Sequence, residues 1–367
     1  MPVDQDFSSV PVLDYALTKD PATRSEFLDQ LRDALINVGF MYLSNPPVSQ
    51  DDIRLVIEYA PKLFTLPQEK KDKLLMRNNL HFLGYTKIGA EYTKGKVDQR
   101  EQYDFATSYE CRWTPGDPEY LKLWGPAQWH DEEDLPGFKE GFLRFLGQCE
   151  ELSYQFIDFV AEALGLKKDA LRIFFDSVMQ HRAKVVKYPP VSEVDSNQGV
   201  GPHFDSGFLT FLLQASSNNG LQVQNLSGRW IDVSPIPGTF VVNIGKALEM
   251  VTNGLTRATS HRVLSPPTGS TPRYSIPFFQ NIRQDLRLKE ILLKFPSEVL
   301  ALRDKRGSVG ARDSVNYTEY GDEDTGYVSL IGRIKSHPDV AERHYPELFR
   351  KFFPQGIKAN GGSNSGY

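Results

Sequence analysis

His203-Phe204-Asp205 sets an imidazole and a carboxylate two residues apart, on one face of the chain if the segment is extended. His261 follows 56 residues after Asp205, beyond a run of strand-like segments. Two imidazoles and one carboxylate form the facial donor set that leaves open coordination positions on non-haem Fe(II). The same donors bind Zn, Mn and Co, so residue types alone leave the ion open. Neither Cys111 nor Cys149 falls inside the cluster, which argues against a thiolate zinc site. Arg273 and Ser275 make an Arg-x-Ser pair in RYSIPFF, again on one face of an apparent strand. Taken alone such a pair is as readily an ion-pairing arginine and a strand-edge serine. Its place behind the histidines and the aspartate is what gives it meaning.

The elements that must position these groups are readable from periodicity. Phe27, Leu28, Leu31 and Leu35 recur at helical spacing between Pro21 and Gly39, and Ile53, Val56, Ile57 and Ala60 follow in a second helix that breaks at Pro67. Leu80 to Trp129 loses any period among Gly, Tyr, Pro and charge, and is expected to be a long irregular segment of the kind that lines binding sites. Residues 138–165 return to helix with a broad apolar face, the expected spine under a sheet. From about 183 the period shifts toward two. LTFLLQ, GLQVQNLSGRWIDVSP, GTFVVNIG and RYSIPFFQN read as short strands between turns, with a hairpin at Ser227-Gly228 and Trp230 covering the exterior. Even spacing of this kind predicts a barrel or sandwich. Helix resumes near 339–352, and a Gly/Ser-rich end follows.

Composition narrows the classes. A chain of 367 residues can bury a sizeable core, and 42 Lys+Arg against 47 Asp+Glu give a net charge of −5, so no dedicated nucleic-acid surface is expected. Two cysteines make no disulfide framework, the acidic N-terminus is unlike a signal peptide, and no window approaches 18 apolar residues. The expectation is a cytoplasmic protein with no membrane partner, a monomer or weak homo-oligomer. No GxGxxG supports a dinucleotide-binding reading.

With these residues in order, the sequence resembles the Fe(II)- and 2-oxoglutarate-dependent dioxygenase superfamily, on its isopenicillin N synthase-like branch. VPVLDY, LRDALINVGFMYLSN and FTLPQEKKDKL look like the helical N-terminal region of that branch. KYPP, GPHFDSGFLTFLLQ, GLQVQNLSGRWIDVSPIPGTFVVNIG, ATSHRVLSPP and RYSIPFF look like its distorted double-stranded β-helix. The resemblance implies an α+β, mainly β-core jelly roll with a helical N-terminal region and a C-terminal helix. The expected division is residues 1–135, then 136–355 with the spine helix, catalytic core and C-terminal helix, then a flexible tail at 356–367. It implies His203, Asp205 and His261 as iron ligands, and Arg273 and Ser275 as the clamp on the distal carboxylate of 2-oxoglutarate. An arginine grips a carboxylate through two charge-assisted hydrogen bonds and a serine adds a hydroxyl donor. The implied chemistry is oxidative decarboxylation of 2-oxoglutarate by O2, with ascorbate in a supporting role, coupled to hydroxylation, desaturation or cyclisation of a small organic molecule.

Tyr188 in KYPP sits where related enzymes place a tyrosine that orients 2-oxoglutarate, although Val186-Lys187-Tyr188-Pro189 lacks the asparagine of the Asn-Tyr-Tyr-Pro found in many plant relatives. Lys184 shares the parity of Val186 and Tyr188, so it is the inward candidate and Lys187 the outward one. An inward Lys184 needs an anionic substrate group or a neighbouring carboxylate; a rim salt bridge is the plainer alternative. Arg100 and Tyr103, with Tyr85, Tyr92, Gln102 and Phe105, are expected to shape the substrate pocket, with Glu101 and Asp104 as competing partners for Arg100. Phe279 and Asn281 are further substrate-side candidates. His81, His181, His337 and His344 lie outside the ligand order. Two alternatives stand beside the leading one: a 2-oxoglutarate-independent iron oxidase of isopenicillin N synthase type, and a non-catalytic binding protein on the same fold.

Overall fold

Asp20 caps the first helix through its side chain and Pro21 supplies the first helical position, so α1 (Pro21–Asp33) starts where the sequence predicts. It runs on as a single π turn, Ala34–Val38, and ends at Gly39 with φ 73°. A Cβ at Gly39 would lie 2.1 Å from the Arg257 carbonyl, so the turn needs glycine for both conformation and space. The helices α2 (Gln50–Thr65), α3 (Gln68–Lys73) and α4 (Phe138–Ala163) follow, with the short α5 (Lys246–Val251) later in the chain. Phe142, Phe145, Leu152 and Phe156 of α4 are buried in the larger apolar core, between helices and sheet. The computed structural model describes residues 6–93, 96–191, 197–291, 293–306 and 319–357.

The strands are β1 (Val12–Asp14), β2 (Phe40–Ser44), β3 (Gly84–Thr86), β4 (Tyr92–Thr93), β5 (Lys96–Val97), β6 (Glu101–Ala106), β7 (Arg182–Tyr188) and β8 (Gln198–His203). They continue as β9 (Leu209–Gln214), β10 (Leu221–Gln224), β11 (Trp230–Asp232), β12 (Thr239–Ile244), β13 (His261–Leu264) and β14 (Arg273–Phe279). One sheet of eight strands has the order β1-β2-β12-β9-β14-β7-β6-β3, and a second of four has the order β11-β10-β13-β8. A smaller apolar core joins them through Val186, Tyr188, Val200, Leu221, Val241 and Val263. The opposite face of the eight-stranded sheet packs on the helices, so its inner strands are buried on both sides and alternation separates two cores. The jelly-roll core, the helical N-terminal region and the C-terminal helical end are all present.

Three local expectations need correcting. The segment 80–129 is not structureless: β3 and β6 add to the eight-stranded sheet, and β6 pairs with β7 over Glu101–Ala106. Its strands escaped notice because every residue of β6, charged ones included, is buried, so no apolar alternation appears. At the C-terminal end, α6 (Ser297–Arg306) and α7 (Thr325–Ser336) precede the expected helix. That helix is itself two, α8 (Pro338–His344) and α9 (Pro346–Phe352), because Pro346 has no N–H with which to continue the first. The hairpin at Ser227-Gly228 stands, with Gly228 at φ 85° joining β10 to β11 and Trp230 lying under the Arg262 guanidinium at 4.1 Å. Among the described residues no helix is long and apolar enough to cross a membrane. Residues 358–367 of the expected tail lie outside the described residues.

Candidate metal centre

β8 ends on His203 and β13 begins on His261, and the two residues are direct partners across the antiparallel ladder. That register brings their rings to 4.2 Å between centroids. Asp205 lies just beyond β8, with its Oδ1 3.9 Å from His203 Nε2 and 3.8 Å from His261 Nε2. One ligating atom from each of the three residues falls within 4.8 Å of the other two, so a single ion can be shared.

The surrounding bonds orient all three. His203 Nδ1 donates to the Gly201 carbonyl at 2.8 Å and His261 Nδ1 to the Thr259 carbonyl at 3.2 Å. Each bond assigns the proton to Nδ1 and turns the Nε2 lone pair toward Asp205. Asp205 Oδ2 accepts from Asn243 Nδ2 at 2.8 Å and from the Thr210 hydroxyl, which leaves Oδ1 as the ligating oxygen. Burial alone would raise the Asp205 carboxyl, yet the two imidazoles and these hydrogen bonds hold it below its ordinary value. His203 is pushed down to about 3, first by burial and then by the neighbouring His261. A divalent ion takes the carboxylate ionised and both imidazoles neutral, so loading it would release any proton the cluster holds.

Two glycines hold the Asp205 loop in place. The Lys246 and Gly245 N–H groups donate to the Asp205 and Phe208 carbonyls at 2.7 and 2.9 Å. A Cβ on Gly245 would stand 2.0 Å from the Gly207 carbonyl oxygen, so only glycine allows this approach. Phe40 of β2 meets the His261 ring edge-on at 5.2 Å, an N-terminal strand thus forming part of the wall.

The pocket around the cluster encloses about 130 Å³ and is bounded by both sheets. Arg273, Ser275 and Phe279 of β14 line it, as do Arg182, Lys184, Val186 and Tyr188 of β7. The Arg273 guanidinium is 1% exposed, lies 5.2 Å above the Tyr188 ring, and donates from Nη2 to Gln214 Oε1 at 3.0 Å. Its Nε and Nη1 are buried without a hydrogen-bond partner among the described residues. Burial lowers its pKa, with Tyr188 acting in the opposite direction. An unpaired buried cation costs several kcal/mol, on the order of what an anionic ligand would return.

The remaining candidates divide. Lys184 is buried and faces the pocket, as its parity predicts, with Asp104 Oδ1 at 3.6 Å and Glu91 Oε1 at 4.0 Å. Lys187 points to the other side and pairs with Glu101 at 3.2 Å. Arg100 also lines the pocket, but its partners are Glu91 at 2.7 Å and Asp98 at 3.4 Å rather than Glu101 and Asp104. Tyr103 does not reach the pocket. Its ring packs into the helical core between Tyr85, Phe105 and Phe64, and the same holds for Tyr85 and Phe105. Gln102 and Asp104 share one face of β6, Arg100 just before the strand has their parity, and Tyr103 belongs to the other face.

Sequence reasoning missed Asn243, Thr210, Glu91 and Arg333, and set His337 outside the ligand order. Asn243 and Thr210 sit at ordinary strand positions. Arg333 lines the pocket from α7, and His337 lies 3.8 Å from Glu91, more than 130 residues beyond His203 in the chain. His181 is fully buried, taking the Asn281 N–H on Nδ1 at 3.0 Å and meeting the Tyr154 hydroxyl through Nε2, a packing role.

Comparison with known proteins agrees with this geometry. Residues 10–132 match the family described as non-haem dioxygenase in morphine synthesis N-terminal, and residues 174–282 match the 2OG-Fe(II) oxygenase superfamily. A 2-oxoglutarate-dependent dioxygenase of Dothideomycetidae sp. (strain 11243) is 43% identical over 351 residues, 93% of this chain and 94% of the relative. The chain belongs to the 2-oxoglutarate- and Fe(II)-dependent oxygenase superfamily. A second such dioxygenase, from Gibberella zeae, is 34% identical to the oxygenase over 94% of its length and 93% of the relative. A Neurospora crassa protein solved in complex with alpha-KG and thymine is 26% identical, with a TM-score of 0.66 over 83% of the oxygenase and 98% of that chain. The oxygenase therefore uses Fe(II) and 2-oxoglutarate to oxidise a small organic substrate.

Proposed function

We propose that His203, Asp205 and His261 hold the Fe(II), that Arg273 and Ser275 hold the distal carboxylate of 2-oxoglutarate, and that Tyr188 orients it. The observation that carries this reading is a buried guanidinium with no carboxylate partner among the described residues, in one pocket with a cluster of two imidazoles and one carboxylate. Bound iron supplies the activation of O2 that decarboxylates 2-oxoglutarate to succinate and carbon dioxide and oxidises a C–H bond of the substrate. The chain's own part is positioning and charge. Gly201 and Thr259 fix the imidazole tautomers, Asn243 and Thr210 leave Asp205 one oxygen for the metal, and Arg273 neutralises the cosubstrate. Phe40, Val186 and Val263 keep water from the pocket wall.

The reaction is hydroxylation or a related desaturation or cyclisation, with ascorbate supporting turnover. A place on the isopenicillin N synthase-like branch rests on the motifs VPVLDY, LRDALINVGFMYLSN and FTLPQEKKDKL. We keep the division into 1–135, 136–355 and 356–367 as one of roles: the first supplies Phe40 and Arg100 to the pocket, and the second supplies the metal and cosubstrate groups. A cytoplasmic monomer or weak homo-oligomer fits the composition. Metal content and succinate formation of His203→Ala and Asp205→Ala, beside thermal unfolding, test the assignment. Both variants should fold, bind little Fe(II) and form almost no succinate. Full turnover after removal of stray metal would reject the ligand roles.

A further inference from the structure

The pocket wall carries more positive charge than one cosubstrate needs. Arg100, Arg182, Lys184, Arg273 and Arg333 line it, while Asp205 is its only carboxylate among the described residues. Most of these cations are committed elsewhere. Arg182 donates to the carbonyls of His81, Phe82 and Leu123, which ties the 80–125 segment down. Arg100 is held by Glu91 at 2.7 Å, with Asp98 behind it at 3.4 Å. Arg273 belongs to the cosubstrate on the reading given above.

Lys184 and Arg333 remain, and a single carboxylate lies between them. Asp104 Oδ1 is 3.6 Å from Lys184 Nζ and 3.4 Å from Arg333 Nη1, while Asp104 Oδ2 accepts from Gln102 at 2.8 Å. Glu91, 4.0 Å from Lys184, is the closer partner of Arg100. The Lys184 ammonium is thus 5% exposed, with no hydrogen bond shorter than 3.5 Å among the described residues. A buried ammonium of this kind is costly unless an anion completes its shell. Its carboxylate neighbours lie behind the wall, and the wall itself presents cations.

We propose that Lys184, flanked by Arg333, binds a carboxylate of the organic substrate, so that the oxygenase acts on a small carboxylic acid held between this pair and the metal. The proposal rests on the oxygenase reading and deepens it. Separation is built into the geometry: across the β7–β14 ladder Arg273 faces Tyr188 while Lys184 stands four residues along the same strand face, so two carboxylates are gripped at different heights.

The test uses the full chain loaded with Mn(II) and 2-oxoglutarate, which holds the site together without turnover. Matched acids and primary amides (hexanoic, phenylacetic and hippuric) are titrated by thermal shift and calorimetry. Stabilisation is expected from acids and not from their amides. It should fall at least tenfold in affinity in Lys184→Gln and recover in Lys184→Arg, which restores charge where a purely structural role would demand the original shape. An amide that binds as tightly as its acid, no response to any acid, or unchanged acid affinity in Lys184→Gln would overturn the proposal. So would a tenfold loss of 2-oxoglutarate affinity in that variant, since the lysine would then serve the cosubstrate. Fe(II)-dependent succinate formation by the unaltered protein is followed in parallel, and its absence would sink the oxygenase reading itself, whatever the acids do.

Discussion

Arg273 and Tyr188 are direct partners across the β7–β14 ladder, and the guanidinium lies 5.2 Å over the phenol ring with two of its nitrogens unsatisfied among the described residues. The ring fixes the plane of the cation and gives it no counter-charge. If Arg273 grips 2-oxoglutarate as proposed, replacing it with Ala removes two charge-assisted hydrogen bonds and should weaken that ligand by roughly a hundredfold or more. Metal affinity, set at the other end of the pocket, should change little. Calorimetric titration of 2-oxoglutarate and of Mn(II) on the same protein checks this, and equal 2-oxoglutarate affinity in both forms would remove Arg273 from the clamp.

Asn243 and Thr210 touch only the oxygen of Asp205 that the metal does not use. Asn243→Leu or Thr210→Val should therefore lower metal affinity by about 10- to 100-fold while leaving the three ligands in place. Competitive Mn(II) titration reads the effect. An unchanged constant in both variants would mean the carboxylate is positioned by its backbone alone.

Gly245→Ala drives a methyl group to within 2.0 Å of the Gly207 carbonyl, on the loop that carries Asp205. The backbone must shift, so both the melting temperature and the metal affinity should drop together. A variant that melts lower yet loads metal normally would show that the loop tolerates displacement.

His181 offers a pH dependence away from the metal ligands. Burial pushes its imidazole down to about 3 from the usual 6.5, and burial also raises Glu150, 3.5 Å from Nε2. Between those two pH values the unfolded chain binds a proton that the folded chain refuses. The stability contribution is whole above 6.5 and is lost as pH falls toward 3. Unfolding free energy of the metal-free protein should decline with acid more steeply in the wild type than in His181→Gln. Parallel pH profiles would contradict this.

What was legible in the chain follows from how strands present side chains. His203, His261, Arg273 and Ser275 sit at strand ends or on one strand face, where a period of two fixes their common direction. The same rule placed Lys184 inward and Lys187 outward. β6 shows no apolar alternation, because it is buried on both faces and each face carries a carboxylate, Glu101 on one and Asp104 on the other. Arg100 and Tyr103 therefore stood together as substrate candidates although their parity sends them to opposite cores. Arg333 and His337 were hidden differently. Arg333 lies on a helix that the periodicity does not show and His337 at the junction after it, and their approach to Asp104 and Glu91 is a long-range contact that spacing along the chain does not encode.

On β7, residues 182, 184, 186 and 188 all look into the cavity while Ala183 and Val185 fill the opposite core. The strand works as a toothed rail, each tooth with a separate duty: anchoring a distant segment, gripping an acid, spacing, and steadying the arginine. Exchanging one tooth retunes one duty. Adding or removing a residue would turn every tooth outward at once, so inherited changes in taste for new molecules are channelled into point replacements along the rail and into length changes beyond its ends.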